Sequence, residues 1–397
     1  MRDRSGLSML ALLALVLGSL GAHGDVSSIV HLRDGTEKRE GTIRSESVDG
    51  IEIEIEIDRR SLTQFLRWDQ IRSILGDAPT EVRLARLKMG ERLWRGRFRL
   101  ARQDLRGARA CFLAALAELS PPATLGRAMT NEGIARTAQV DEQAWTQSLE
   151  AALTDSVLRG RVAIPLNWMD GVSSFDPASG LHLAVPPVWV DQERAKQAES
   201  ELRAAENRAR AASDDGLAKI LGDCARIAAA DAGSPAPPPL IASESKPAGE
   251  PAEPAAGQGG ATTAARAAAR SGAAVIAAWA NALSADPALR KRGRTELRKT
   301  IANEDGLVRI WALYAEGRSS AMEDDPEEVR RGVGRMLLIP AAYATESPVL
   351  ARAALVQSTR ALARIQDDES AEKLRQIAQE YHRNSNGNFT TQEGDRP

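Results

Sequence analysis

Ile51-Glu-Ile-Glu-Ile-Glu-Ile57 alternates strictly between apolar and acidic residues. A β-strand turns successive side chains to opposite faces, so this spacing puts the isoleucines toward a core and the glutamates toward water. The neighbouring stretches follow the same rule. Val26–Leu32 reads as a strand ending in an Asp34-Gly35 turn, and Gly41–Val48 as a second, closed by Asp49-Gly50. Leu62–Trp68 is a fourth, and Asp69–Ile74 a short last strand or turn. Five short strands in about fifty residues hide their edges by curling, which predicts a small β-barrel over residues 25–77.

From Glu81 the period changes. Leu84, Leu87, Leu93, Trp94 and Phe98 recur at helical steps, and Gly107-Ala-Arg-Ala-Cys-Phe-Leu-Ala-Ala-Leu116 forms the next helix, ended by Ser120-Pro-Pro122. Helical patterns continue to residue 230, interrupted at 162–190 by an irregular segment carrying Trp168, Asp170, Asp176, Pro186-Pro187 and Trp189. Residues 233–262 are rich in Ala, Pro, Gly, Ser and Glu with almost no large apolar side chain; they read as a disordered linker. Helix returns over 263–384, and 385–397 reads as a disordered tail. The expected fold is therefore mainly α, with helical hairpins following a small five-stranded barrel. Abundant Ala and Arg and only 4% aromatic residues agree with that balance.

Residues 1–24 carry Arg2 and Arg4, an apolar run from Leu7 to Leu20, and the small residues Gly21, Ala22 and Gly24. This is the layout of a secretory signal cut after Gly24, with an uncleaved anchor as the alternative. The mature chain is then expected in the periplasm or outside the cell, with no stable membrane span. Cys111 and Cys224 are the two cysteines; they read as free buried thiols, although an oxidising compartment would let them pair.

Two resemblances add to this reading. Ile29-Val-His-Leu-Arg-Asp-Gly35, Gly41-Thr-Ile43, the Ile51–Ile57 strand and Trp68-Asp-Gln-Ile71 resemble the Sm-like and SH3-like small barrels. Sm-like barrels often bind RNA, but residues 25–58 hold ten acidic residues against four Lys or Arg, and an acidic surface repels phosphate. No nucleic-acid partner is expected. Gly96, Ala108, Phe112 and Ala115 fall at small and large positions that resemble a tetratricopeptide repeat, in which small residues let two helices approach and a ring fills the gap. At an offset of 38, Met336, Ile339, Tyr343 and Ser347 correspond to Leu374, Ile377, Tyr381 and Ser385. That arrangement is similar to envelope tetratricopeptide proteins of the outer-membrane-assembly and Tol–Pal-coordinator kind, although Tyr381-His-Arg-Asn-Ser385 lacks their proline. The resemblance implies a scaffold that binds an envelope protein or peptide in a groove of stacked helices.

Chemistry is thinly signalled. The four histidines, at 23, 31, 182 and 382, have no helical pairing, and there is no Cys cluster, phosphate loop or nucleophile elbow, so no metal, cofactor or catalytic residue is expected. Acidic pairs at 214–215, 324–325 and 367–368 read as helix caps. Two binding surfaces are open. One is the basic run from Glu81 to Arg109, with ten Lys or Arg against three acids and Arg92, Arg95 and Arg99 at its centre. It serves either an anionic polymer or lipid, or docking on the acidic strands. The other is the pair Trp168 and Trp189, lining a polysaccharide groove or anchoring the irregular segment, with Asp170 and Asp176 as the carboxylates to test.

Overall fold

The computed structural model describes residues 27–35, 37–76, 79–119, 124–140, 144–159, 175–177, 179–182, 185–234 and 272–387. The export segment, Trp168, Asp170 and nearly all of 233–262 lie outside the described residues. The described chain is mainly helical, with twelve α-helices and an N-terminal five-stranded antiparallel sheet. It divides into two units, residues 1–94 and 95–397.

In the first unit, β1 (Ser27–Leu32), β2 (Lys38–Glu46), β3 (Gly50–Ile57), β4 (Arg60–Arg67) and β5 (Ile71–Leu75) lie in the order β4-β3-β2-β1-β5. β3 and β4 pair without a break from Gly50–Arg67 to Ile57–Arg60. Their two-residue turn is Asp58-Arg59, with φ of 52° and 64°, the left-handed pair that a tight hairpin requires. Ile51 and Ile53 are fully buried with Val30, Leu66, Trp68 and Ile71, whereas Glu52 and Glu56 are exposed. Ile57, expected in the core, stands 51% exposed at the hairpin tip.

The expected barrel does not close. β4 and β5 are both edges, with no ladder between them. A flat five-stranded sheet would hold its outer strands about 19 Å apart, while the link through Trp68–Gln70 spans at most about 14 Å. The sheet must therefore curl. Yet that link is a tight turn, in which the Gln70 amide donates to the Arg67 carbonyl (3.0 Å) and the Ile71 amide to the Trp68 carbonyl (3.3 Å). β5 leaves it toward β1 and does not fold back on β4.

Helix α1 (Glu81–Ala101) begins in this unit. The Arg83 guanidinium, buried, donates to Glu46 on β2 (Nε, 2.7 Å), and Arg86 lies 3.9 Å from the same carboxylate. Arg33 donates to the Leu87 carbonyl (3.1 Å) and the Trp94 indole N–H to Asp34 (2.9 Å). The start of the basic run is thus bound to the acidic strands.

In the second unit, α2 (Leu105–Leu116) and α3 (Leu125–Arg136) meet around Phe112, which is fully buried. A Cβ on Gly96 would lie 2.7 Å from its ring, and one on Gly133 would lie 2.5 Å away. Two backbones therefore close on one aromatic ring, and Ala108 and Ala115 are fully buried beside it. Arg109, the last residue of the basic run, is also buried; it donates to Ser148 (2.9 Å) and to the Ile134 carbonyl (3.3 Å). Then follow α4 (Trp145–Arg159), the short hairpin β6 (Phe175–Asp176) and β7 (Leu181–His182), α5 (Gln192–Ala211) and α6 (Asp215–Asp231).

α6 is the hub of this unit. Every residue from Leu221 to Asp231 is buried. Its alanines allow close packing, and Arg226 reaches the Ala280 carbonyl (3.4 Å) and Asn281 (3.1 Å) on helix α7, residues 272–282. The array ends with α8 (Pro287–Asn303), α9 (Gly306–Ser320), α10 (Pro326–Ala342), α11 (Pro348–Arg364) and α12 (Asp368–Gly387). α12 thus continues past residue 384, where the tail was expected to start. From α8 onward each helix packs chiefly on the one before and the one after it. One apolar core runs from Ala135 to Leu374, so the helices on both sides of residues 235–271 share it. Trp279, Trp311 and Tyr314 meet edge to face at its centre, with ring centroids 6.3 and 5.3 Å apart.

A repetition of 39 residues links α7–α8 to α9–α10. Asp286 and Asp325 cap α8 and α10 with the same backbone angles (φ −70°, ψ 116°), each followed by Pro at the first helical position. Gly293 and Gly332 are the contact points: an added Cβ would lie 2.4 Å from the Ala282 amide nitrogen and 2.5 Å from that of Ala321, respectively. The expected offset of 38 pairs unlike positions, since Ile339 is fully buried and Ile377 is 49% exposed.

Candidate functional site

The expected site residues are dispersed. Arg92 is half-buried on α1; Arg95 and Arg99 are exposed. Arg99 is bound to Asp104 (2.6 Å), the N-cap of α2, whose carboxyl is held below its ordinary range by the Gly107 amide and then by Arg99. Trp189 is buried in the apolar core, which fits an anchor and not a groove wall. Asp176, half-buried, accepts from the Ser179 hydroxyl. Cys111 is half-buried and Cys224 buried, both free; burial pushes the Cys224 thiol well above its usual value.

Two polar clusters that sequence reasoning missed flank the irregular segment. In the first, α4 sets Asp155 and Arg159 one turn apart. Arg159 donates to Asp155 (2.7 Å) and to Glu132 of α3 (2.6 Å), while His182 Nε2 of β7 lies 2.9 Å from Asp155. All four are buried. The guanidinium also stacks on Phe175 (4.3 Å to the ring centre), and Phe175 lies 5.4 Å from the imidazole. Arg136, beside Glu132, has its pKa lowered by burial and partly restored by that carboxylate. Glu132 and Asp155 thus share the Arg159 guanidinium. The cluster clamps the β6–β7 hairpin onto α3 and α4.

The second cluster holds residues 185–190. Asp231, at the end of α6, accepts from the Trp189 amide (3.1 Å) and lies 3.7 Å from Arg318 of α9. Arg360 of α11 donates to the Val190 carbonyl (2.7 Å). Burial pushes the Asp231 carboxyl up to about 6, against the pull of Arg318 and the Trp189 amide. Among the described residues no group of three His, Cys, Asp or Glu could hold a metal ion, and no helix is long and apolar enough to cross a membrane.

The exposed surface differs between the units. Of ten large apolar side chains that stand exposed among the described residues, seven belong to the first unit: Val48, Ile57, Leu62, Phe65, Leu75, Val82 and Leu84. Leu62 and Phe65 are on β4, the sheet's outer strand, 53% and 47% exposed. Comparison with models of protein families, with curated proteins and with solved structures yields no match to this chain.

Proposed function

We propose that this protein is an exported, non-catalytic binding scaffold of the cell envelope, whose sheet unit carries the partner surface. The observation that carries this reading is the concentration of exposed apolar side chains on a unit of fewer than a hundred residues, seven of ten among the described residues. Exposed apolar side chains that are concentrated in one small unit, and not spread evenly over the chain, are where a partner contact is first sought. The helical unit is then the rigid support, a divergent array of tetratricopeptide-like hairpins. Its support is the 39-residue repetition and the Gly96–Phe112 contact. Export rests on the basic, apolar and small-residue layout of residues 1–24.

A photo-crosslinking residue placed at Leu62 or Phe65 of the full chain, in living cells, tests this. A discrete adduct from these positions, absent from a control at Leu338 and recovered in the envelope fraction, is expected. Adducts of equal yield at all three positions, or a chain retained in the cytosol, would sink the proposal.

A further inference from the structure

We infer that the seam between α8 and α10, over Glu316 of α9, is a binding site for a phosphate ion that keeps a proton. This concerns the helical unit and does not depend on the sheet surface. Glu316 is fully buried. Its Oε1 accepts from Arg298 Nε of α8 (2.9 Å) and is ion-paired with Arg335 of α10. Two guanidiniums that reach one oxygen hold their nearest nitrogens no more than about 6 Å apart, a gap that a single tetrahedral oxyanion bridges. An anion there ties α8 to α10 across α9.

Donors and positive charge are in surplus at this point. Among the described residues Arg298 and Arg335 pair with Glu316 alone, so most of the N–H groups on each fork are left over. The Arg298 side chain is 50% exposed and that of Arg335 29%, so a solute reaches both. Burial, then Arg298 and Arg294, lower the Arg335 pKa. The carboxylates around the seam are engaged elsewhere: Glu323 with Arg294 and Arg290, Glu296 with Lys299, Glu327 with Arg330 and Glu328 with Arg331. Glu304 follows the end of α8, more than one helical turn past Arg298, and Asp324 follows the end of α9, two turns past Glu316. Two guanidiniums therefore answer to one carboxylate.

The buried side of the seam selects the anion. Glu316 Oε2 and, one turn on, the Ser320 hydroxyl are buried with no hydrogen-bond partner among the described residues. A buried carboxylate oxygen without a donor is rare, so the ligand must donate as well as accept. Hydrogen phosphate does both, with charged oxygens for the two forks and one O–H for Glu316 Oε2. Sulfate has the same shape and charge but no proton to give near neutral pH. A phosphate monoester, with a second pKa of about 6, has also lost its O–H there. Arg298, the more exposed of the two forks, is the side chain that moves to admit the ion.

Isothermal titration of the full chain with inorganic phosphate, slightly above neutral pH, tests this. One saturable site is expected, at least ten-fold tighter for phosphate than for sulfate, acetate or glycerol phosphate. Affinity should fall at least ten-fold in Arg298→Gln, a change at a half-exposed side chain. Phosphate should also raise the Tm of the wild type and leave that of Arg298→Gln unmoved. In Glu316→Gln, whose amide can donate to sulfate, the preference for phosphate over sulfate should vanish. No saturable phosphate binding, or binding that Arg298→Gln leaves unchanged, overturns the site. Sulfate or glycerol phosphate bound by the wild type as tightly as phosphate removes the role of the O–H and overturns the proposal as well.

Discussion

The two units differ in what they bury. The sheet unit hides Trp68 and a few isoleucines but leaves Phe65, Leu62 and Ile57 about half exposed. The helical unit hides not only its apolar residues but whole ionic groups: Glu132, Asp155, Arg159, His182, Asp231 and Glu316 are all buried. Size explains part of this, because a small domain buries a smaller share of its surface. Arrangement explains the rest. Helices that pack on all sides, such as α6 and α9, must bury whatever polar residues they carry, whereas an open sheet keeps its edges and one face in reach of water.

Two phenylalanines test the contrast most sharply. Phe112→Ala removes a fully buried ring wedged between Gly96 and Gly133, and should cost about 3–5 kcal/mol. Phe65→Ala, at a side chain 47% exposed, should cost under about 1 kcal/mol. Urea unfolding followed by residue-resolved hydrogen exchange reads each unit by itself. If Phe65→Ala destabilises as much as Phe112→Ala, the sheet's exposed ring is structural and the division between the units fails.

The next effect depends on pH. The Asp231 carboxyl is raised from 3.8 to about 6, chiefly by burial. The folded chain therefore holds this proton more tightly than the unfolded chain. The stability it contributes is complete below about pH 4 and is lost as pH rises through 6, by up to about 3 kcal/mol. Asp231→Asn keeps an oxygen to accept the Trp189 amide but cannot ionise. Relative to wild type, the variant should gain stability between pH 4.5 and 7.5, measured by denaturation at both values. A difference that stays flat with pH would show that Arg318 and the Trp189 amide already compensate the charge.

How much of this was legible in the sequence follows from the range of each interaction. The Ile51–Ile57 alternation marks β3 because strand periodicity is local, and the acidic pairs at 214–215 and 324–325 hold the caps Asp214 and Asp325 for the same reason. Phe112 was legible as a ring between small residues, although Gly133, its second contact, was not. Closure of the sheet was not legible, because it depends on the direction in which β5 leaves the Trp68–Gln70 turn. The clusters were hidden by distance: Asp231 meets Trp189 and Arg318, and Arg159 meets Glu132, through packing that no local spacing records. Of the expected site residues, Trp189 is an anchor and Arg99 serves the α2 cap. Leu62 and Phe65, exposed on β4, were read only as part of a strand. Their signal, two large apolar residues three apart and so on opposite faces, was present but ambiguous.

The smallest effects come from two glycines on α10. Gly332 is buried against α9, where a methyl group would meet the Ala321 amide nitrogen at 2.5 Å and the Gly317 carbonyl oxygen at 2.5 Å. Both obstacles are backbone, so α9 and α10 must separate, and Gly332→Ala should cost about 1–3 kcal/mol. Gly334, two residues on, is exposed, and a methyl group there meets nothing within 4 Å. It lies in a helix interior, where Ala is favoured over Gly, so Gly334→Ala should gain about 0.5–1 kcal/mol. The opposite signs matter more than the sizes. Helix propensity alone would make both changes stabilising, so a gain at Gly332 would mean that α9 and α10 are not in close contact there. The 39-residue repetition gives an independent check, because Gly293→Ala stands in the same relation to Ala282 on α7 and should repeat the loss at Gly332.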